Sequence, residues 1–442
     1  MGFVRQLRPR ARIACLTGDE AREAALTKHF ATVGYDIVSH KDADGADIGL
    51  VDLRGRNITA KQTRRIAAML RRRSPEASLL FLIDPALAGQ GRAHLRRAGE
   101  IIPTEDDLSA VLTRVRQVLR MRNLADEAGE RLKSLAALTR LGEFPTIAPK
   151  GGAARILLAG PPSAAALASA AAMDRAGALW SAVFSTGQSL RAIETERFDG
   201  AIFLPNEQND LLQSLGRSIQ RNPKFAHFPI IHIGHSCDDL AAFAGAGARD
   251  FMLADHIADD LPQKILTSVR RARLAETLRG FLNACSGDGV RDPASGAFAG
   301  AFLSQHGARL AARADAADRP MCLAAFKLHG DKVNAKVIDR TILTHAAGLI
   351  RRITRADDTL ARISADSFAL MMPATVEDDA DLVGARIEGV LGNTLFRRTD
   401  EDLASVKVAW SAVTRENGQC IEETVAAALA GLAPAQPDRV SG

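Results

Sequence analysis

The chain has 442 residues, of which 47% are hydrophobic and 25% charged, as in soluble globular proteins of about two to four domains. With one Tyr and two Trp, an aromatic surface that stacks single-stranded nucleic acid is not expected, and the net charge of +5 is mild for a chain of this length. No apolar run approaches the ~20 residues that span a bilayer, and no apolar stretch follows the N-terminal arginines. We therefore expect a cytoplasmic protein without membrane insertion. Five scattered cysteines predict buried thiols and no metal site.

Two segments of the chain repeat the same order of apolar strands and helices. The predicted strands at residues 12–16, 46–51 and 78–83 correspond to those at residues 155–159, 199–204 and 228–233, and the helix at 111–116 corresponds to that at 265–270. Short apolar strands that alternate with helices are typical of parallel sheets buried on both faces. We expect two doubly wound (flavodoxin-like) α/β domains, at residues 10–140 and 153–282.

Glycine- and proline-rich segments separate the predicted domains. The last helix of the first domain extends to about residue 141, and residues 142–152 form a linker. Residues 286–290 mark the entry to a third domain, and residues 434–442 form a loose tail.

The third domain, residues 286–434, has a different order of elements. A helix begins near Ala299, and an amphipathic helix carries a face from Ile338 to Ile353. The remaining elements are strands at 321–326, 359–363, 368–372 and 406–410 and a helix at 380–391. This order predicts a third α/β domain.

The two repeats resemble response-regulator receiver domains. In that family an Asp after the third strand accepts a phosphoryl group, beside a metal-binding acidic pair, a hydroxyl and a Lys. Asp52 occupies the acceptor position and is the candidate phosphoacceptor. However, Thr17-Gly18 replaces the acidic pair, Ile83 replaces the hydroxyl, and residues 100–104 contain no Lys. The favoured reading of Asp52 is therefore a solvated carboxylate at a strand end.

The second repeat departs further from the receiver pattern. Leu204 replaces the acceptor, Gly160-Pro161 replaces the acidic pair, and Ala254 falls near the Lys position. We expect this domain to be a structural or docking module.

Residues 286–434 resemble a GGDEF domain, which has the nucleotidyl-cyclase-like fold of the diguanylate cyclases. Residues 364–368, Ser-Ala-Asp-Ser-Phe, stand in a hairpin where the family has Gly-Gly-(Asp/Glu)-Glu-Phe. Residues 292–296, Asp-Pro-Ala-Ser-Gly, resemble the Asp-Pro-Leu-Thr-Gly that opens such a domain. With the two receiver-like domains, this resemblance covers most of the chain.

The side chains that cyclisation of GTP requires are missing. Ser364 and Ala365 replace the glycines that let the nucleotide approach the backbone. Ser367 lacks the carboxylate that binds Mg²⁺, and Lys327 replaces an Asp at the end of the first strand. Asp366 alone cannot build the metal site. We expect no catalytic residue, no metal and no cofactor.

An Arg-x-x-Asp pattern, Arg355 and Asp358, precedes the hairpin turn by the spacing that the family uses for an inhibitory site. In the family this site binds the product, cyclic di-GMP. A guanidinium can bond guanine or phosphate with two parallel hydrogen bonds, and a carboxylate can accept from guanine N–H groups. Arg386 matches a second ligand-contacting Arg. Without the family context, a surface ion pair would be the better interpretation.

The resemblance implies a non-enzymatic cyclic di-GMP receptor, a homodimer that recruits other proteins. Expected partners are cyclic di-GMP and the adaptor and substrate proteins of a ClpXP-type proteolytic pathway at a cell pole, with no nucleic acid. Three alternatives stay open: a scaffold switched by phosphorylation of Asp52, a weak diguanylate cyclase, and a structural protein without a ligand.

Overall fold

The computed structural model forms two compact units. One comprises Arg12–Met121 and Ala148–Thr277, and the other comprises Met1–Ala11, Arg122–Ile147 and Leu278–Gly442. The structure describes residues 9–85, 93–104, 108–138, 151–205, 209–221, 225, 228–245, 248–285, 290–330, 338–398 and 403–432. None of the helices in these ranges is long and apolar enough to cross a membrane.

The first sheet has five strands in the order β2-β1-β3-β4-β5. They are β1 Ala11–Leu16, β2 Tyr35–Ser39, β3 Ile48–Asp52, β4 Ser78–Ile83 and β5 Glu100–Pro103, with helices α1 Glu20–Ala31, α2 Ala60–Arg73, α3 Ala93–Ala98 and α4 Ser109–Leu138. The pairs β1–β3, β3–β4 and β4–β5 are parallel. Strand β3 is buried along its whole length, as apolar strands covered on both faces must be.

The second sheet repeats this order as β7-β6-β8-β9-β10, and all four of its pairs are parallel. Its strands are β6 Arg155–Ala159, β7 Leu179–Val183, β8 Gly200–Phe203, β9 Ile230–Gly234 and β10 Asp250–Leu253, and its helices are α5 Ala164–Arg175, α6 Thr186–Thr195, α7 Asn209–Arg221, α8 Cys237–Gly245 and α9 Ile257–Ala284. The predicted parallel α/β repeat is confirmed.

The third sheet is mixed, in the order β11-β13-β14-β12-β17. The elements are β11 Phe298–Ala299, β12 Met321–Gly330, β13 Thr359–Arg362, β14 Ser367–Pro373, β15 Phe396–Arg397, β16 Leu403–Ala404, β17 Val406–Thr414, α10 Gly300–Ala316, α11 Arg340–Ile353, α12 Glu377–Gly392 and α13 Ile421–Ala430. Strands β12, β13, β14 and β17 pair antiparallel, and among the described pairs of this sheet only β11–β13 is parallel. Helices α11 and α12 cover one face of the sheet with a core that includes Phe326, Ile350 and Ile387.

Several predicted elements of the third domain have other bounds in the structure, among them the strand predicted at 406–410, which continues to Thr414. Strand β12 continues past residue 326 to Gly330, because it pairs with β17 through Lys327 and His329. Helix α11 begins at Arg340, so Ile338 precedes it. The Asp339 side chain caps this helix by accepting from the Ile342 amide at 2.9 Å.

The predicted domain limits stay a prediction. Most of the linker at 142–152, the entry at 286–290 and the tail at 434–442 lie outside the described residues.

Two glycines of α12 provide a matched test of how this helix packs. A Cβ on Gly384 would clash with the Trp410 ring, whereas a Cβ on Gly389 would meet nothing within 4 Å. We expect Gly384→Ala to lower the free energy of unfolding by about 1–3 kcal/mol through overpacking. Gly389→Ala should be neutral or raise it by up to ~1 kcal/mol. Equal destabilisation of both variants in urea unfolding would contradict this packing.

Candidate ligand-binding site

Arg355 and Asp358 form a closed turn between α11 and β13. The Asp358 Oδ2 atom accepts from the Arg355 amide at 2.8 Å, and the Asp358 amide donates to the Arg355 carbonyl at 3.2 Å. These reciprocal bonds need the three-residue spacing, which explains why the chain folds this way locally. The turn therefore fixes the carboxylate and leaves the Arg355 side chain exposed.

The second carboxylate oxygen of Asp358 is not satisfied. Its Oδ1 atom is buried and has no hydrogen-bond partner in the described structure. Burial and the neighbouring charge of Asp357 raise the pKa of Asp358 to about 7, although Arg355 opposes this. A buried acceptor without a donor costs about 1–3 kcal/mol, and a ligand N–H would remove that cost.

The guanidinium of Arg355 is lightly held. Its one described hydrogen bond is a long one, from Nη1 to the Thr375 hydroxyl at 3.5 Å. Arg386 is exposed on α12, which begins two residues after Thr375. No hydrogen bond or ion pair to Arg386 is seen among the residues that the structure describes, and no contact brings it to Arg355. Both guanidinium groups can thus turn toward a ligand without breaking an ion pair.

A buried polar cluster, defined here as Glu127, Arg131, Ser134, His306 and Thr359, lies directly behind this turn. Arg131 donates to Glu127 at 2.8 Å and to the Thr359 hydroxyl at 2.9 Å. The His306 ring bonds Glu127 at 2.9 Å and Ser134 at 3.0 Å. Since Thr359 follows Asp358 in the chain, the cluster joins the candidate site to α4.

The neighbouring charges of the cluster stabilise the ionised form of Glu127. Burial alone would raise the pKa of Glu127, but Arg131 and His306 more than offset it and hold the pKa below its usual range. Sequence analysis missed this cluster because its pairs are distant in the chain: Glu127 and His306 are 179 residues apart.

The hairpin of residues 364–368 closes on itself. The Asp366 carboxylate accepts from the hydroxyls of Ser364 and Ser367 at 3.0 and 2.9 Å. Lys327 pairs with Ser367 across the sheet, and its ammonium lies 4.0 Å from Asp366. Burial would raise the pKa of Asp366, but the two hydroxyls and this ammonium lower it. A cation thus stands beside the carboxylate that would have to share a metal.

The base of the hairpin is tied to the start of the domain. Arg362 donates to the Ser364 and Ala365 carbonyls at 2.9 and 2.8 Å and pairs with Asp292 at 3.2 Å. Asp292 also accepts from the Ser295 amide and hydroxyl, each at 2.7 Å. The two motifs singled out in the sequence, at residues 292–296 and 364–368, are therefore in contact.

Asp52 is not solvated, so that expectation is wrong. Its carboxylate is buried and bonds the Arg54 guanidinium through two oxygens, at 3.0 and 2.7 Å. Asp19, one of the acids near the first strand, is used as the N-cap of α1. In the second sheet, Leu204 is buried, and its Cβ lies 2.8 Å from the position a Cβ on Gly160 would take.

Metal ligands do not cluster in the described ranges. No group of three or more His, Cys, Asp or Glu side chains there could hold a metal ion.

The chain matches no protein-family model and no curated protein. It is similar to the solved GGDEF domain of FimX from Pseudomonas aeruginosa, at 19% identity over 32% of this chain and 90% of that one, with a TM-score of 0.29. The GGDEF domain of DgcB from Caulobacter crescentus, solved in complex with c-di-GMP, is 15% identical over 33% of this chain and 89% of that one, with a TM-score of 0.30. The diguanylate cyclase SiaD from Pseudomonas aeruginosa, solved in complex with its activator SiaC, is 18% identical over 51% of this chain and 86% of that one, with a TM-score of 0.31.

The raised pKa of Asp358 predicts a pH-dependent stability. Between about pH 4 and 7 the unfolded chain releases this proton while the folded chain keeps it, so the contribution of Asp358 to stability falls as the pH rises. In Asp358→Asn this loss disappears. The free energy of unfolding of the variant, relative to wild type, should rise from pH 4 to pH 8 in urea titrations.

Asp366→Asn is the control, because the pKa of Asp366 is lowered and its contribution has the opposite sign. It should lose stability relative to wild type as the pH rises toward 3.8, the ordinary Asp pKa, and the difference should stay constant at higher pH. A difference between Asp358→Asn and wild type that is constant with pH would contradict the assigned burial.

Proposed function

We propose that residues 286–434 form a degenerate GGDEF domain that binds cyclic di-GMP through Arg355 and Asp358, with Arg386 assisting. The observation that carries this proposal is the buried, unpartnered Oδ1 of Asp358 beside an exposed guanidinium. Guanine presents adjacent N–H donors on one edge and the O6 and N7 acceptors on another. A fixed carboxylate and a mobile guanidinium suit these two edges. The phosphates of the ligand add negative charge that two arginines attract.

We further propose that the domain is not an enzyme. Cyclisation needs carboxylates that hold Mg²⁺ against the triphosphate. At the corresponding hairpin Asp366 is engaged by two hydroxyls, and the Lys327 ammonium lies 4.0 Å away. Ser367 offers no second carboxylate. A metal ion would have to displace this cation and compete for one acid.

Receiver-like domains without phosphoryl chemistry would serve as docking surfaces in a dimer. The Arg54 fork already satisfies both oxygens of Asp52, which disfavours the alternative of a phosphorylation-switched scaffold. By resemblance to PopA, a cell-cycle effector of alphaproteobacteria, the output would be recruitment of adaptor and substrate proteins to a ClpXP-type protease at a cell pole.

The buried polar cluster offers a physical route from ligand to interface. A ligand hydrogen bond donated to Asp358 would favour its anion and so change the charge beside Thr359. The Thr359 hydroxyl accepts a hydrogen bond from Arg131 on α4. Glu127 acts on Asp358 in the same sense as Asp357, because each raises its pKa. Ligand binding that favours the Asp358 anion must therefore shift the balance among these buried charges.

Calorimetric titration with cyclic di-GMP tests the site. We expect Arg355→Ala to weaken binding by about 10- to 100-fold, since a hydrogen bond to a charged group is worth about 1.5–3 kcal/mol. The matched control is Arg352→Ala, an exposed Arg in the last turn of α11. It should bind within about twofold of wild type, by the small effect expected of a screened surface charge. Equal binding by both variants would overturn the assignment.

Incubation with GTP and Mg²⁺ tests the absence of catalysis. We expect no cyclic di-GMP from the purified protein under conditions in which an active diguanylate cyclase converts GTP. Turnover that is lost in Asp366→Ala would instead establish the weak-cyclase alternative.

A further inference from the structure

A cavity of about 450 Å³ lies inside the unit that holds the first two sheets. Strands β5 and β10 form its floor, and both are edge strands of their sheets. Helices α4 and α9 supply further walls. Its volume is in the range of small-molecule sites, about 300–1,000 Å³. This cavity is separate from the turn of Arg355 and Asp358, which belongs to the other unit.

Positive charge predominates in the lining. Its cations are Arg71, Arg96, Arg114, Lys264 and Arg271. The acids are Glu100 and Asp260 in the lining and Asp250 beside it. Five cations against three acids leave an excess of two positive charges.

These acids leave Lys264 poorly neutralised. Glu100 is shared between Arg114 and Arg271, the latter at 2.6 Å, and Asp260 pairs with Arg96. The ammonium of Lys264 lies 3.8 Å from Asp250, and within the described ranges it is not seen to donate a hydrogen bond. A half-buried ammonium still gains from acceptors for its N–H groups as well as from a balancing charge. Lys264 is the group in the cavity with most to gain from a bound anion.

The cations of the cavity also repel one another. Burial lowers the pKa of Lys264 and lowers that of Arg114 to about 10. The charges of Arg114 and Arg271 lower the pKa of Lys264 further, against the opposing effects of Asp250 and Asp260. Desolvated cations held together without enough counter-charge are costly, and an anion among them removes that cost.

The remaining lining sets the kind of anion. Leu79, Val118, Phe251 and Leu253 give the cavity apolar walls, and His256 lines it with an Nε2 atom that has no hydrogen-bond partner in the described structure. Guanidinium forks match phosphate oxygens, and apolar walls suit a ring. We propose that this cavity is a second ligand site, which binds a small phosphorylated organic molecule with an apolar or aromatic body.

Pyridoxal 5′-phosphate is a suitable probe, because it carries a phosphate, an aromatic ring and an aldehyde. The Lys264 amine would add to the aldehyde and release water to form an imine, which borohydride reduces to a stable secondary amine. Labelled peptides are then counted by mass spectrometry. We expect Lys264 to be labelled at least about tenfold faster than Lys61, an exposed lysine of α2 in the same unit.

Inorganic pyrophosphate is the competitor. It should protect Lys264 and not Lys61, whereas NaCl at equal ionic strength should protect neither. Labelling of Lys264 no faster than that of Lys61, or protection by NaCl equal to that by pyrophosphate, would overturn the proposal.

Two variants separate this site from the rest of the protein. Arg71→Met removes an exposed cation at the rim and should weaken protection by pyrophosphate by about tenfold while the labelling of Lys61 is unchanged. Arg355→Ala should leave the labelling and protection of Lys264 unchanged, because Arg355 belongs to the other unit. Unchanged protection in Arg71→Met, with circular dichroism showing wild-type folding, would contradict the proposal.

Discussion

The candidate site depends on one half-buried carboxylate that the fold satisfies only in part. The Arg355 amide donates a hydrogen bond to Oδ2 of Asp358, whereas Oδ1 is buried and has no donor in the described structure. A protein keeps such a group at a cost in stability unless something outside the chain completes it. The same turn that fixes this carboxylate releases the Arg355 guanidinium to the surface. In the proposed function, this fixed acceptor and this free donor are the two halves of a nucleotide-recognition site.

The position of this turn would let a bound ligand affect the rest of the domain without any catalysed reaction. Thr359 comes next in the chain and is bonded to Arg131, which holds Glu127 and through it His306. Each member of this cluster is buried, so a change in charge at Asp358 is poorly screened there. Helix α4 carries three of the five members, and its position relative to the third sheet is therefore the structural variable that ligand binding would bias.

Local sequence signals predicted the strands at the centre of both parallel sheets, because short apolar runs that alternate with helices involve residues close together in the chain. The Arg-x-x-Asp spacing predicted a ligand site at Arg355 and Asp358, and the closed turn that these residues form is seen only in the structure. The extension of β12 was missed because Lys327 and His329 interrupt its apolar pattern, and only pairing with β17 makes them strand residues.

Long-range pairing limited the prediction of the sites. Asp52 was expected in solvent, but the side chain of Arg54 folds back on it and both become buried. The cavity between β5 and β10 depends on how two repeats pack, and neither repeat alone encodes it. The excess of positive charge in this cavity comes from residues of both repeats, so the residue spacing within one helix or strand cannot predict it.

Crystallisation of the protein with excess cyclic di-GMP would show whether the nucleotide supplies the donor that Asp358 lacks. We expect a guanine N–H within hydrogen-bond distance of Asp358 Oδ1 and the Arg355 guanidinium on the same nucleotide. A complex in which the nucleotide binds elsewhere, with Asp358 still lacking a donor, would contradict it.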